Sequence, residues 1–73
     1  MNIWIRTQKK DELLLCNYLR VCQYRGSSRC DIITKECTTL GTYQDEARAL
    51  EVLDMIENHM IKYDSIPFQM PKE

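Results

Sequence analysis

Four cysteines and one histidine are the side chains of this 73-residue chain that could carry nucleophilic or metal chemistry. The cysteines stand at positions 16, 22, 30 and 37, and the histidine stands at position 59. No two cysteines form the C-x-x-C pair that zinc sites favour, and the histidine lies far from all four. We therefore expect free thiols that pack as small apolar side chains, no metal and no cofactor. Disulfides and a metal site are the less favoured alternatives.

Catalysis would need a nucleophile or a general base together with a partner that orients it. A Cys–His pair can be written on paper, but His59 falls late in a predicted acidic helix. A histidine there is typical of a cation near the negative end of the helix dipole. The two glycines, Gly26 and Gly41, cannot build a glycine-rich phosphate loop. We expect that this protein is not an enzyme.

A second group of side chains combines aromatic rings, arginines and an amide on one predicted sheet face. Within residues 3–8 the even positions share a face, and positions 18 and 20 can share that face from the next strand. Arginine offers a planar fork for phosphate, and the rings offer stacking area or an interface anchor. The candidate ligand-binding or interface residues are Trp4, Arg6, Gln8, Tyr18, Arg20 and Tyr24.

Three interpretations of this face remain open. It could hold an anionic ligand such as a signal nucleotide, with Arg6 and Arg20 on the phosphates and Trp4 or Tyr18 stacked on the base. It could grip a partner protein, with Trp4 as the anchor, or it could pack only against identical subunits. We expect a homo-oligomer, because a sheet covered on one side leaves an aromatic patch too apolar for a soluble monomer.

Four predicted strands and one predicted helix must position these side chains. Alternation and β-branched content indicate strands at residues 3–8, 13–24, 29–35 and 38–43, with room for a break in the second near Asn17. Residues 45–61 have the apolar spacing of an amphipathic helix, with Asp45 as its N-cap. Two prolines make residues 64–73 an extended tail or an edge segment.

This order predicts one α+β domain spanning residues 1–73. We expect an antiparallel sheet of three or four strands, one amphipathic helix packed on one face, and an extended proline-containing C-terminal tail. The expected core face of the sheet consists of Ile3, Ile5, Leu19, Val21, Ile32 and Leu40. The expected core stripe of the helix consists of Ala49, Leu50, Leu53, Ile56 and Met60.

Charge and hydropathy exclude several classes of protein. The net charge is −1, with most basic residues in 1–35 and most acidic residues in 36–73, so we do not expect nucleic acid as a partner. No apolar run approaches the roughly 20 residues that span a membrane. The first residues also lack a basic segment followed by an apolar one, so we expect no secretory signal, no membrane partner and a cytoplasmic protein.

Three parts of the chain carry a family resemblance. They are the opening W-I-R-T-Q at residues 4–8, the stretch L-G-T-Y at residues 40–43 with the following helix, and F-Q-M-P at residues 68–71. They resemble a small uncharacterised family of Gram-positive bacterial and phage proteins with a W-I-R-S-Q start and a Q-M-P tail. In this chain Thr7 stands at the position of the family's serine. The resemblance implies a compact accessory protein of phage or mobile DNA that acts against host defence by binding a nucleotide signal or a host protein.

Overall fold

A computed structural model describes residues 2–23, 25–63 and 65–73, and these residues form six strands and one helix. In chain order the elements are β1 (Ile3–Arg6), β2 (Leu13–Cys16), β3 (Leu19–Gln23), β4 (Cys30–Thr34), β5 (Thr39–Tyr43), α1 (Glu46–Lys62) and β6 (Phe68–Gln69). The strands form two three-stranded sheets, in the orders β2-β1-β6 and β3-β4-β5. Helix α1 packs on the antiparallel β3-β4-β5 sheet, so the predicted α+β fold is confirmed.

The strand predicted at residues 13–24 is two strands, divided at the break allowed near Asn17, because β2 ends at Cys16 and β3 begins at Leu19. In β2 the inward side chains are Leu14 and Cys16, whereas in β3 they are Leu19 and Val21. The inward positions change from even to odd numbers, and a regular strand cannot make that change without a bend. The chain therefore turns between the two strands, and the expected antiparallel sheet has three strands, β3-β4-β5, while β1 and β2 belong to a second sheet.

A tight turn joins β1 to β2 in antiparallel register, with Ile5 opposite Leu14. Thr7 N donates to Glu12 O at 3.0 Å, and Lys10 N donates to Thr7 O at 2.9 Å. Lys10 has φ of 66°, in the left-handed region, so it reverses the chain direction at some steric cost. The β1–β2 hairpin is thus closed by backbone hydrogen bonds on both sides of its turn.

The β3-β4-β5 sheet has a central strand that is buried along its whole length. All five residues of β4, Cys30–Thr34, are buried, because β3 and β5 flank the strand and α1 covers one face. A register shift between Ile32 and Ile33 marks a β-bulge against β5. The turns on either side use left-handed residues, Gly26 with φ of 75° and Cys37 with φ of 66°.

Helix α1 begins after Asp45, whose carboxylate accepts from Arg48 N at 2.8 Å, so the predicted N-cap is confirmed. Its inward residues are Ala49, Val52 and Ile56. Leu50 was expected in the core stripe, but 46% of its surface is exposed. The buried side of the helix includes Val52 instead, whereas Leu53 and Met60 of the expected stripe are half-buried.

Strand β6 adds to β1 in parallel, with Phe68 opposite Ile5. Met70 N then donates to Arg6 O at 3.1 Å and extends the pairing by one residue. Both prolines of the chain flank this short edge strand, where a missing N–H does no harm. The segment expected as a tail or edge therefore includes an edge strand.

One buried cluster joins the two sheets and the helix. Its members are Ile3, Ile5, Cys16, Cys30, Ile32, Leu40, Tyr43, Ala49, Val52, Ile56, Phe68 and Met70. The expected sheet core is confirmed, with Leu19 and Val21 half-buried at its margin. Phe68 and Met70 show that residues after the helix complete this core.

Candidate functional site

The outer face of the β1–β2 hairpin carries three exposed apolar side chains, which we call the hairpin row: Trp4, Leu13 and Leu15. They are 45%, 43% and 52% exposed. Trp4 lies opposite Leu15, and Arg6 lies opposite Leu13, so all four point to one side of the sheet. Large apolar side chains that share an exposed face are typical of an interaction surface.

Trp4 and Arg6 thus lie on one exposed face, as the alternation of β1 predicts. The Arg6 guanidinium donates to the Lys10 carbonyl at 3.3 Å, which holds it against the hairpin turn. The guanidinium has donors beyond this one bond. This is the part of the candidate cluster that the structure brings together.

Gln8 belongs to the fold rather than to an open face. Its amide nitrogen lies within hydrogen-bond distance of three carbonyls, those of Thr42, Pro71 and Lys72, at 3.1, 3.1 and 2.7 Å. Its amide oxygen accepts from Thr42 N at 2.9 Å. An amide with two N–H groups and one carbonyl has no donor to spare after these bonds.

Tyr18 and Arg20 are placed elsewhere. Tyr18 lies between β2 and β3 on the helix side of the sheet, whereas Trp4 points away from the helix. Arg20 lies in the other sheet, opposite Ile33. Tyr24 lies outside the described residues. The five described candidates therefore do not form one face, because Gln8 is bonded within the fold and the chain bends before β3, which pairs with β4.

An apolar groove, which we call the helix groove, opens where the two sheets diverge beneath the second half of α1. Its volume is about 510 Å³, within the range of ligand pockets. Its walls are formed by Ile3, Cys16, Tyr18, Leu19, Leu53, Ile56, Met60 and Ile61. Asn17, Asp54 and Glu57 complete the lining, so the charged side chains on this groove are acidic.

A second, polar depression of about 620 Å³ lies at the opposite end, near residues 72 and 73. It brings together the cations Arg29, Arg48 and Lys72. Arg48 forms an ion pair with Glu51 and donates from Nε and Nη2 to Glu73 O at 3.0 and 2.7 Å. Its guanidinium is therefore occupied by contacts within the chain.

The cysteines divide into two classes. Cys16 and Cys30 are buried, and burial is the main cause that raises the pKa of each thiol above its usual value. Cys22 and Cys37 are exposed, and all four are free thiols in this structure. Within the described ranges, no three His, Cys, Asp or Glu side chains lie together as a metal site.

His59 anchors the segment that follows the helix. Its ring packs edge-on against Phe68 with centroids 5.3 Å apart, and it lies 5.5 Å from the ring of Tyr63. Its Nε2 lies within hydrogen-bond distance of the Ile66 carbonyl, which can only accept, so this nitrogen carries the proton. The ring thus holds Ile66 and Phe68 close to the end of the helix.

Sequence reasoning missed Leu13 and Leu15 as interface residues and missed the helix groove altogether. The signal for the hairpin row was present, because Leu13 and Leu15 alternate with Leu14 and Cys16 in a strand beside Trp4. The groove had no such signal, since its walls come from three separate parts of the chain.

Comparisons of the chain with protein-family models, with curated proteins and with solved structures returned no match. Among the described residues, no helix has the length and apolar character needed to cross a bilayer.

Proposed function

We propose that this protein is a small non-enzymatic binding protein that self-associates through its β1–β2 hairpin. The observation that carries the proposal is the hairpin row, in which Trp4, Leu13 and Leu15 are each more than two-fifths exposed on one face. Aromatic side chains and arginine are enriched at protein interfaces, and the two exposed leucines add apolar area beside them. A cytoplasmic location fits four free thiols, two of them exposed.

The test is the dependence of mass on concentration, measured by light scattering. The double variant Leu13→Ser, Leu15→Ser removes two of the three apolar side chains of the hairpin row and should shift the protein towards the 8.7 kDa monomer. The double variant Leu50→Ser, Met55→Ser is the matched control, because these two side chains are equally apolar and are 46% and 40% exposed on α1. A wild-type protein that stays monomeric at several hundred micromolar would refute self-association.

A second candidate function is the binding of a partner protein in the helix groove. The observation that favours it is the combination of apolar walls with Asp54 and Glu57 at the rim. A partner segment with aliphatic anchors and flanking lysines or arginines would match both features. The role against host defence rests on the family resemblance and stays a prediction.

A designed amphipathic peptide of leucine and lysine, labelled with a fluorophore, tests the helix groove. Leu53→Lys places a charge on the groove wall and should abolish binding, whereas Met55→Lys lies off the groove and should not. The pair Asp54→Asn, Glu57→Gln should weaken binding, and the pair Glu12→Gln, Glu51→Gln controls for the loss of two negative charges. Equal effects of Leu53→Lys and Met55→Lys would exclude the groove as the binding site.

A further inference from the structure

Strand β2 is the outer strand of its sheet and has a free edge. Its order in the sheet, β2-β1-β6, leaves one side of Leu13–Cys16 without a strand among the described residues. Natural edge strands are often protected by a charge, a proline or a bulge within the strand. The sequence Leu-Leu-Leu-Cys has no charge and no proline, and its register against β1 runs without a shift.

The hydrogen-bond pattern of the hairpin decides which groups point to that edge. Antiparallel residue pairs alternate between hydrogen-bonded and non-hydrogen-bonded. The bond from Thr7 N to Glu12 O makes that pair a bonded one, so the pairs that contain Leu13 and Leu15 are non-bonded. The N–H and C=O groups of Leu13 and Leu15 therefore point away from β1. The bond from Met70 N to Arg6 O agrees, because Arg6 turns its carbonyl away from β2.

This edge is complementary to itself across a two-fold axis. If two β2 strands run antiparallel with Leu14 opposite its own copy, Leu13 of each lies opposite Leu15 of the other. Both of these are hydrogen-bonded pairs, so the outward N–H and C=O groups of Leu13 and Leu15 find partners in both copies. Glu12 then lies opposite Cys16 of the second copy, and no two acidic residues face each other.

The same register joins the two hairpin rows. Residues that are directly opposite in antiparallel strands point to the same side, so Leu15 of one copy packs beside Leu13 of the other. Trp4 and Leu15 then continue across the axis into Leu13 of the second copy. In one copy the hairpin row ends at the free edge of β2. In the dimer the two hairpin rows form one continuous apolar row across a six-stranded sheet.

We propose that two copies of this chain dimerise by antiparallel pairing of β2 with β2, with Leu14 at the two-fold axis. The inference rests on the proposed self-association and specifies its geometry. The resulting sheet has the order β6-β1-β2-β2-β1-β6, and the second copy is the partner because it matches both the backbone pattern and the apolar row.

Leu15→Pro tests the edge directly. Its N–H is not used by β1, and proline is tolerated in an edge strand at such a position, so the hairpin should persist while each copy loses one intermolecular donor. We expect the dimer dissociation constant to rise at least about ten-fold more than in Leu15→Ala, which shortens the side chain and keeps the donor. Trp4→Ala leaves the edge intact and should weaken the dimer less than Leu15→Pro.

Amide hydrogen exchange of the wild-type protein keeps the proposal testable if Leu15→Pro fails to fold. Protection of the Leu13 and Leu15 amides should rise with protein concentration, whereas the Leu14 amide, already bonded to β1, should be protected at every concentration. Fast exchange of Leu13 and Leu15 in a sample of dimer mass would overturn the strand pairing and leave self-association standing. A monomer at all concentrations would overturn both.

Discussion

The side-chain amide of Gln8 and the backbone of Thr42 bond to each other in both directions. Gln8 Oε1 accepts from Thr42 N at 2.9 Å, and Gln8 Nε2 donates to Thr42 O at 3.1 Å. The backbone of Gln8 also donates to Leu40 O at 2.8 Å. Gln8 therefore occupies the place of a strand residue between β1 and β5 and links two sheets that share no regular pairing.

Gln8→Ala should lower the free energy of unfolding by about 2–4 kcal/mol, because it removes several hydrogen bonds and leaves the half-buried Thr42 amide without its partner. Urea denaturation followed by circular dichroism measures this loss. Gln44→Ala is the matched control, since Gln44 is exposed and should change the value by less than about 0.5 kcal/mol. Equal stability of the two variants would contradict this structural role of Gln8.

Two of the four thiols should react with a disulfide reagent in the native protein. Cys22 and Cys37 are exposed, whereas Cys16 and Cys30 are buried with raised pKa values and so form little thiolate. The number of reactive thiols per chain should rise from two in the native protein to four in denaturant. In the Cys22→Ser, Cys37→Ser variant, rapid native labelling should disappear; persistent fast labelling would contradict the placement of Cys16 and Cys30.

The protein should lose stability above pH 10 through Tyr43. Burial of its ring raises the pKa of Tyr43 from 10.0 to about 12, although nearby Arg48 opposes the shift. The unfolded chain therefore releases the phenolic proton first, and stability present below pH 10 falls by about 2 kcal/mol by pH 12. Urea denaturation of Tyr43→Phe at each pH should lack this component, and Tyr18→Phe should retain it.

Cys37→Gly should stabilise the protein by about 0.5–1 kcal/mol. Cys37 has φ of 66°, where a side chain is strained and glycine is not. Thermal unfolding measures the change. Glu36→Gly in the same turn is the control and should destabilise, since Glu36 is not among the left-handed residues and glycine there adds freedom to the unfolded chain.

Nucleotide binding at the hairpin should be weak. Of the predicted cluster, Trp4 and Arg6 share a face, and stacking and one charged hydrogen-bonding group supply at most about 6 kcal/mol before the cost of association. Calorimetry against cyclic dinucleotides and ADP-ribose-type compounds should therefore find no dissociation constant below about 100 μM. A dissociation constant below this value would support the nucleotide-sequestering function, provided that Arg6→Ala weakens the binding and leaves the oligomer mass unchanged.

The helix and the individual strands could be predicted because their signals are local. The Asp45 cap and the spacing of Ala49 and Ile56 lie within one segment, as does the alternation of Ile3 and Ile5. The bend before β3 was only partly visible. The inward side chains lie at even positions up to Cys16 and at odd positions from Leu19. This change can be recognised only when the partner of each strand is known.

The candidate site was harder to predict than the fold, because it depends on which strands become neighbours. Trp4 and Arg6 share a face by alternation alone, and they do lie together. Arg20 was assigned to the same face on the assumption that its strand pairs with β1, but it pairs with β4. Nothing near Gln8 in the sequence indicates that its amide bonds to residues 42, 71 and 72.

Residues 68–72 are held by β1, by Gln8 and by Tyr43, whose hydroxyl donates to Pro71 O at 2.9 Å. Strand β1 pairs in parallel with a segment that lies more than sixty residues later in the chain. Strands β3, β4 and β5 each pair with a neighbour in the sequence, whereas β1 and β6 must close a long loop before their contacts form, and such pairing is slow. Until β6 pairs with β1, the apolar β1–β2 hairpin lacks one flank, and an unpaired strand edge of this kind is prone to aggregate during folding.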